Sequence, residues 1–321
     1  MASDTSNIAK NNRCNRQHGV ALLSVMFILT LLTVLAVYMV EADHLAIRRV
    51  ENQRMVEQAA QLSMGSEQWA RRVLQRDAAD SKTDHLNEDW NKLGSSVKID
   101  NADLRTVIHD HQGRFNLNNL TTRDEVWYPA FKRLLRLLEL NEGIAEAVVD
   151  WIDADQNRTH ADGAEDLEYQ LLDPPYRTAN RPMIDVGELV YIQGLGPQQL
   201  NRLLPYVTVI PDNKVTRINV NTCPPLLLQI LGAEMTSADA ESLATGRGET
   251  GFESIQTFLQ RPELAGEANV TAEPLSTLQS DYFQIASQTR VGRLRFAMNS
   301  MIKRNSQQGS VEVIRRGRSY L

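Results

Sequence analysis

The sequence RQHGVALLSVMFILTLLTVLAVYMVEAD (residues 16–43) contains an uncharged run, residues 20–40, that decides how the rest of the chain is placed. As an α-helix this run is about 31 Å long at ~1.5 Å per residue, which matches the ~30 Å hydrocarbon core of a bilayer. A cleavable secretory signal has a shorter apolar run followed by small residues, whereas Glu41 and Asp43 follow here. A buried core helix rarely has so long a run without a charge. The pattern therefore predicts a transmembrane helix.

The charges that flank this run predict its orientation. Residues 1–19 carry Lys10, Arg13 and Arg16 against Asp4, and the first charges after the run are acidic. Because basic flanks stay preferentially on the cytoplasmic side, we expect a cytoplasmic N-terminus, one membrane crossing and an exported body of roughly 280 residues.

Composition limits the partners of the exported body. The chain has a net charge of −6, and because residues 1–19 carry +2, residues 20–321 carry −8. An acidic excess argues against nucleic acid as the main partner, since phosphate favours Lys and Arg, and it is compatible with divalent cations. The two cysteines, Cys14 and Cys223, fall on opposite sides of the predicted membrane, so no intramolecular disulfide is expected.

The helical pattern continues beyond the apolar run. Apolar residues recur at spacings mostly of three and four, with polar residues on the other faces through about Arg76. No proline interrupts residues 20–80, so we expect one continuous helix of about 55 residues. The predicted apolar positions of its second half are Ala42, Ala46, Val50, Met55, Ala59, Leu62, Trp69 and Val73.

The remaining sequence predicts an α+β fold. Strand patterns occur before and after a long helical stretch, which indicates a small sheet interrupted by an α-helical domain at roughly residues 120–275. Residues 77–101 are polar and rich in turn formers, and we interpret them as a connector. The predicted strands of the sheet are 104–110, 281–290, 292–304 and 310–317, and residues 128–140 and 143–153 have helical spacing. Residues 184–211 predict a helix, a glycine turn, a second helix and a strand that stops at Pro211, and residues 215–232 predict a strand, an asparagine cap and a helix.

The densest group of carboxylates lies in DWIDADQNRTHADGAEDLEY, residues 150–169. Clustered carboxylates repel one another unless a cation lies among them, and Ca²⁺ accepts oxygen ligands in a flexible geometry. An EF-hand is excluded because its sixth and twelfth positions are Arg158 and Ala164. An irregular calcium loop and a solvated acidic loop both remain open.

Three further motifs have simpler interpretations. We interpret HDH, residues 109–111, as a surface strand end, because adjacent strand residues point to opposite faces and no second histidine cluster is near. GRGETG, residues 246–251, follows a helical segment and predicts a helix stop and turn. The related runs GRFNLNNL and TRINVNTCPPLL predict two asparagine helix caps. No motif of nucleophilic, metallohydrolase or nucleotide chemistry has a supporting context, so an enzyme is not predicted.

A competing hypothesis is an anchored DNA-binding protein. Gly194-Leu195-Gly196 resembles the turn of a helix-hairpin-helix module, whose backbone N–H groups contact a DNA phosphate. The first hairpin offers only Arg202 nearby, however, and the second carries acidic residues where phosphate would approach. These acidic residues are Glu234, Asp239 and Glu241.

The N-terminal organisation resembles that of type IV pilins and pseudopilins: a basic leader ending in glycine, then a hydrophobic helix that continues as an amphipathic stem. The resemblance implies that prepilin peptidase cuts between Gly19 and Val20 and that Val20 is methylated. Most members carry glutamate at the fifth mature position, where this chain has Ser24. A tip subunit has no neighbour above it to pair with such a glutamate, so its absence is typical of the K subunit of type II secretion systems.

The K-subunit resemblance extends to the acidic loop. K subunits carry a similar loop ending in Gly-Ala-Glu-Asp, here residues 163–166, and bind calcium in the α-domain. The resemblance implies Asp153, Asp155, Glu165 and Asp166 as calcium ligands, with Thr159 contributing its carbonyl.

The same resemblance implies a fold, a domain order and a function. The fold is a pilin-like long N-terminal helix plus a small antiparallel sheet with a large inserted α-domain. The function is to cap the tip, and help initiate assembly, of a periplasmic pseudopilus from the inner membrane of a Gram-negative bacterium. The implied partners are minor pseudopilins of the I and J type, prepilin peptidase and other inner-membrane secretion components, with no nucleic acid.

The implied domains comprise the cleaved leader, the membrane helix, its amphipathic continuation, the first part of the β-domain, the α-domain with helix-hairpin-helix-like units, and the C-terminal strands. Their boundaries are 1–19, 20–40, 41–77, 78–120, 121–275 and 276–321.

Overall fold

A long helix, α1, opens the structure. This computed structural model describes residues 17–94, 96–122, 125–212, 214–305 and 309–320, so the predicted leader lies outside the described residues up to position 16. Helix α1 spans Gln17–Asp80, which confirms the continuous helix and extends it one turn beyond its expected end near Arg76.

The chain divides into two compact units, Met1–Gln58 and Ala59–Leu321. In the described part of the first unit, the apolar side chains of residues 20–40 are exposed, and the most apolar window of the helix has a mean hydropathy of 2.8. By length and composition α1 is therefore a helix that can cross a membrane, as the sequence predicts.

The second unit contains a five-stranded antiparallel sheet with the order β1-β2-β7-β8-β9. The four strands predicted for the sheet are confirmed, while β1 lies inside the segment that we expected to be only a connector. All four residues of β1 are exposed and it forms one edge of the sheet, so it lacks the alternation that reveals a half-buried strand. The strands are β1 (Ser96–Ile99), β2 (Ala102–Asp110), β7 (Tyr282–Val291), β8 (Leu294–Asn305) and β9 (Ser310–Tyr320).

The α-domain is inserted between β2 and β7. It holds most of the buried apolar residues of the unit and includes two short parallel strand pairs, β3 with β4 and β5 with β6. Its strands are β3 (Phe115–Asn116), β4 (Val207–Thr208), β5 (Ile218–Asn219) and β6 (Ser276–Thr277). Its helices are α2 (Trp127–Leu137), α3 (Ile144–Ile152), α4 (Asp166–Gln170), α5 (Pro197–Leu203), α6 (Pro225–Gln229), α7 (Ser237–Gly246), α8 (Ile255–Leu259) and α9 (Glu267–Leu275), with 3-10 turns at Leu117–Thr122, Val186–Tyr191 and Pro262–Leu264.

The face of α1 that packs on the sheet differs from the predicted apolar face. Trp69 remains 49% exposed, whereas Ser63, Ser66 and Glu67 are buried beside Ala70. Ser63 and Ser66 bond Thr289 and Ser287 across the interface, both with oxygens 2.8 Å apart. The prediction of Trp69 on the buried face was wrong because hydrogen-bonded polar groups, which a hydrophobic pattern ignores, occupy that side.

The interpretation of HDH as a surface strand end is correct for His109, which is exposed at the end of β2, and wrong for Asp110 and His111. Asp110 and His111 are 9% and 8% exposed, because the α-domain covers this end of β2. Asp110 accepts hydrogen bonds from Thr222 (2.6 Å) and Ser280 (2.7 Å), and burial raises its pKa to about 6. Asp110 therefore joins distant segments instead of facing solvent.

The helix-cap prediction for the two asparagine runs holds only for the first. In that run the Oδ1 atom of Asn116 accepts the N–H of Asn118 at 3.2 Å, at the start of the 3-10 turn Leu117–Thr122. In the second run, helix α6 is capped at Pro224.

The two asparagine runs are also related by structure. In the first run, Asn118 bonds both backbone polar groups of Met183 through its side chain, at 2.8 and 3.0 Å. In the second, Asn221 bonds both backbone groups of Phe252 in the same way, at 2.8 and 3.1 Å. Each of these two asparagines, Asn118 and Asn221, therefore holds a later loop in its half of the α-domain.

The motif GRGETG forms the turn that the sequence predicts. Helix α7 ends at Gly246, and Gly248 and Gly251 adopt positive φ of 58° and 69°. Glycine reaches this region without the steric cost that other residues meet.

Candidate metal centre

The acidic loop connects α3 to α4 and brings three carboxylates together. Asp150 lies in the last turn of α3, Asp153 directly follows the helix, and Glu165 precedes the first residue of α4. One oxygen from each of these carboxylates lies within 4.8 Å of the others. They are the residue type and spacing that a calcium ion coordinates in loops.

Two of the three carboxylates are buried without enough hydrogen-bond donors. Asp150 is fully buried and Glu165 is 3% exposed. The Oδ1 atom of Asp150 accepts the N–H (2.9 Å) and the hydroxyl of Thr159, but its Oδ2 atom has no partner among the described residues. The side chain of Glu165 faces the backbone N–H of Glu168 in a capping box at the start of α4, but neither of its carboxylate oxygens accepts a full hydrogen bond from a described residue. Such groups are costly to bury unless a cation or a proton neutralises them.

The pKa values of these carboxyl groups show that the site lacks positive charge. Burial, followed by the charges of Asp150, Asp153, Asp155 and Asp166, raises the pKa of Glu165 to about 7. Burial also raises the pKa of Asp150, although the bonds from Thr159 and the nearby backbone N–H of Ala164 oppose this shift. The site therefore favours a positive charge, and its oxygen donors fit a calcium ion.

Close packing of a glycine shapes this site. A Cβ atom on Gly163 would lie 2.1 Å from Oδ2 of Asp150 and 3.2 Å from the backbone nitrogen of Thr159. Only glycine allows the loop backbone to approach the Asp150 carboxylate this closely.

The predicted ligands lie in two settings. Asp153 and Glu165 are in the cluster, while Thr159 donates its N–H and hydroxyl to Asp150. Asp155 is exposed and accepts the N–H of Asn157 at 2.8 Å. Asp166 accepts the N–H (3.0 Å) and hydroxyl (2.8 Å) of Thr178.

Asp150 is the member of the cluster that the sequence places in the acidic stretch but that was not expected to be a ligand. It belongs to a helix whose residues are nearly all buried, and the sequence pattern marks that helix as core. A useful signal was available, because Asp150 and Asp153 are three residues apart and so share one face at the end of a helix.

A second group of three carboxylates already contains a cation. Asp77, Asp84 and Glu88 also have oxygens within 4.8 Å of one another. Arg304 donates to Asp77 at 2.9 Å and to Asp84 at 2.5 Å. This group is an ion-paired support between α1 and the sheet.

The helix-hairpin-helix resemblance has a local structural basis. Gly194 adopts a φ of 83°, and Gly196 is the N-cap of α5. Arg202, the basic residue expected to serve a phosphate, forms a 3.6 Å ion pair with Glu139. The glycine turn of a helix-hairpin-helix module is therefore present, but Arg202, the cation beside it, is paired with Glu139.

Comparison with known proteins identifies the family. Family models described as type II secretion system (T2SS), protein K match residues 113–212 and 218–278. Type II secretion system protein K of Pseudomonas aeruginosa is 33% identical, with 94% of this chain and 92% of that protein aligned. The Klebsiella pneumoniae protein is also 33% identical, over 90% of this chain and 93% of its own length. The chain belongs to the type II secretion system protein K family. It is therefore a minor pseudopilin, and the DNA-binding alternative is not supported.

Solved structures agree with this assignment to the protein K family. The crystal structure of the GspK-GspI-GspJ complex from enterotoxigenic Escherichia coli contains a chain with a TM-score of 0.76 and 25% identity to this one. The match covers 84% of this chain and 99% of the other, which confirms the expected pilin-like fold. The two family-model matches also follow the two halves of the α-domain, since one contains β3 and β4 and the other β5 and β6.

Proposed function

We propose that this chain is the tip subunit of a pseudopilus and assembles there with minor pseudopilins of the I and J type. The observation that carries the proposal is the likeness to the GspK chain, which was solved in a complex with GspI and GspJ. The α-domain interrupts the sheet between β2 and β7, and we propose that it blocks addition of a further subunit above it. Its role is structural and not catalytic.

The N-terminal part of α1 anchors the chain in the inner membrane in this proposal, with the N-terminus cytoplasmic and the body periplasmic. Prepilin peptidase cuts between Gly19 and Val20, and the new N-terminus is methylated. Ser24 supports the tip position, because its hydroxyl donates to the Val20 carbonyl at 2.9 Å and so needs no partner from another subunit. A glutamate at this position would be costly in the membrane without such a partner.

Calcium has a structural role in the same proposal. Asp150, Asp153 and Glu165 would hold the ion, with the remaining expected ligands Asp155, Asp166 and the Thr159 carbonyl around them. When bound, calcium supplies the positive charge that the buried carboxylates lack. The carboxylates of Asp150 and Glu165 come from α3 and the start of α4, so the ion would tie these helices together.

The experiment uses the full chain expressed with prepilin peptidase and tagged I- and J-type subunits. We expect an intact mass that begins at methylated Val20, and retention of this chain by both partners after mild detergent extraction. Gly19→Ala should leave the uncut precursor. Gly65→Ala, a matched change with open space around the new methyl group, should be processed normally.

Two results would contradict the proposal. Normal processing of Gly19→Ala would exclude the pilin-type leader. Failure of the processed chain to associate with either partner would exclude the assembly, even if cleavage were normal.

A further inference from the structure

A cavity of about 600 Å³ with both polar and apolar lining lies between the α-domain and the face of the sheet that is turned away from α1. On β8, Ser300 bonds Glu67 of α1, whereas its neighbours Asn299 and Met301 face the opposite side and line the cavity. His111, Arg114, Asp185 and Arg315 contribute its charged or titratable lining. None of these residues belongs to the acidic loop.

The two arginines of the cavity differ in their partners. Arg315 forms a 2.9 Å ion pair with Asp185 and donates to the carbonyl of Ile184. Arg114 is half-buried, and its side chain has no hydrogen bond or ion pair among the described residues. The charge of Asp110 acts on Arg114, but the Asp110 carboxylate accepts hydrogen bonds from Thr222 and Ser280 instead. The cavity therefore has one guanidinium whose charge is not compensated by a contact.

His111 adds an unpartnered polar atom at the same place. The side chain is buried, and its Nδ1 atom lies 2.5 Å from the hydroxyl oxygen of Thr208. The Nε2 atom is buried with no hydrogen-bond partner among the described residues. If the Thr208 hydroxyl donates to Nδ1, the Nε2 atom carries the proton and is a donor. Burial, followed by Arg114, His109 and Arg315, lowers the pKa of His111 to about 3, so the ring is neutral.

We propose that this cavity binds a carboxylate group, with Arg114 as the charged donor and His111 Nε2–H as the second donor. A singly charged group matches the one uncompensated guanidinium, because Arg315 is neutralised by Asp185. Val207 and Met301 provide apolar surface for the carbon atoms that accompany a carboxylate. The carboxylate comes from a free organic acid or from an acidic side chain of a polypeptide. This site is independent of the tip role and of calcium.

The test measures ligand binding to the full chain in detergent by NMR of ¹³C-labelled histidine rings. The probes are succinate, the peptide N-acetyl-Ala-Glu-Ala-amide and its Gln counterpart, all at constant ionic strength. The His111 signal is assigned by its loss in His111→Gln. We expect it to shift in a saturable way with succinate or with the Glu peptide, and at least tenfold more weakly with the Gln peptide. A response to succinate identifies a free acid as sufficient, whereas a response to the Glu peptide alone identifies a polypeptide source.

Three variants separate charge, space and folding. Arg114→Gln should weaken binding at least tenfold, while Arg318→Gln, an exposed arginine outside the cavity lining, should not change it. Gly317→Met fills the cavity without removing a charge and should abolish the shift of the His111 signal. If Arg114→Gln does not fold, the Gly317→Met result alone tests whether the carboxylate binds in this cavity. No saturable shift with either carboxylate probe, or unchanged binding in a folded Arg114→Gln or Gly317→Met protein, would overturn the proposal.

Discussion

The end of α1 and the loop after α3 each gather three carboxylates within the same distance of one another. Arg304 bonds two carboxylates of the first group, whereas no cationic side chain among the described residues contacts Asp150 or Glu165 of the second. In the first group, Arg304 is 1% exposed on its side chain and donates to both Asp77 and Asp84. In the loop, oxygens of Asp150 and Glu165 remain without partners among the described residues. The Oδ1 atom of Asp84 in the first group also has no partner in the described part of the chain, so Arg304 offsets part of the buried charge and does not satisfy every oxygen. The comparison separates a group that holds a buried arginine from one whose buried carboxylates contact no described cation.

The first group has further contacts that fix its geometry. Arg304 also donates to the Ser280 carbonyl at 2.7 Å, and its guanidinium lies 4.8 Å from the centre of the Phe283 ring. Even so, burial and the charges of Glu88 and Asp84 raise the pKa of Asp77 to about 7, against the opposing effect of Arg304. The group is therefore short of positive charge even with Arg304 present, and it depends on that residue.

Replacing Arg304 with Met should have the largest effect on stability. Removing one partner of a buried ion pair leaves an uncompensated charge, so we expect a loss of about 3–5 kcal/mol in the free energy of unfolding. Urea unfolding of the full chain in detergent, followed by tryptophan fluorescence, measures the change. Arg295→Met, on an exposed position of the same strand, should change it by less than about 0.5 kcal/mol. A loss below about 1 kcal/mol for Arg304→Met would show that the cluster does not depend on this cation.

Calcium should stabilise the second group, because no cationic side chain among the described residues contacts its Asp150 or Glu165 carboxylate. At a hundredfold excess over its dissociation constant, an ion that binds only the folded state adds about 2.7 kcal/mol. We therefore expect chelation to lower the melting temperature of the full chain, and Asp150→Asn to remove most of this difference. Asp162→Asn, an exposed carboxylate of the same loop, should preserve it.

The dependence on pH gives this prediction a sign. In the chelated protein, Glu165 keeps its proton up to about pH 7, whereas the unfolded chain releases it near the ordinary value of 4.5. The folded state then binds more protons, so its stability should fall as pH rises through this interval. Calcium binds the deprotonated carboxylate, and the stabilisation that it gives should grow over the same interval. Equal melting with and without chelator at pH 7.5 would return the loop to a solvated acidic segment.

Gly163→Ala should disturb the same loop through shape alone. Its added methyl group would collide with the Asp150 carboxylate, and overpacking of this kind costs about 1–3 kcal/mol. We expect a lower melting temperature and weaker calcium stabilisation, measured by thermal unfolding with and without chelator. Gly94→Ala, where no atom lies within 4 Å of the added methyl, is the control. A Gly163→Ala protein that equals this control in both measurements would contradict the packing argument.

Patterns local in sequence predicted much of this fold. Helix α1 and strands β2, β7, β8 and β9 follow from apolar runs and alternation, which depend on neighbours a few residues away. The buried roles of Asp110 and Asn118 were missed because their partners, Thr222 and Met183, lie far along the chain. A residue's own neighbours carry no record of such contacts.

The candidate metal centre also combines features that nearby residues predict with contacts that only the tertiary structure shows. Asp150, Asp153 and Glu165 belong to one acidic stretch, so a local count of carboxylates finds all three, but it does not show that Asp150 is a ligand. Asp150 is part of an apolar helix, and its importance depends on how Gly163 and Thr159 fold back onto it. The composition of the loop indicates a cation, whereas only the tertiary structure identifies which oxygens lack donors.

The smallest effect is expected where α1 meets the sheet through neutral groups. Ser66 and Ser287 bond each other at 2.8 Å in a buried interface, and a buried hydrogen bond of this kind contributes about 1 kcal/mol. Ser66→Ala should cost this amount because it leaves Ser287 unsatisfied, while the exposed Ser237→Ala should cost almost nothing. Changing Ser66 and Ser287 together should cost less than the two single losses combined, since neither hydroxyl is then left without its partner. If the two single losses in the free energy of unfolding, measured with urea, add up to the loss in the double variant, the two hydroxyls act independently. The serine pair would then differ from the Arg304 ion pairs in lacking a coupled interaction, and not only in contributing less stability.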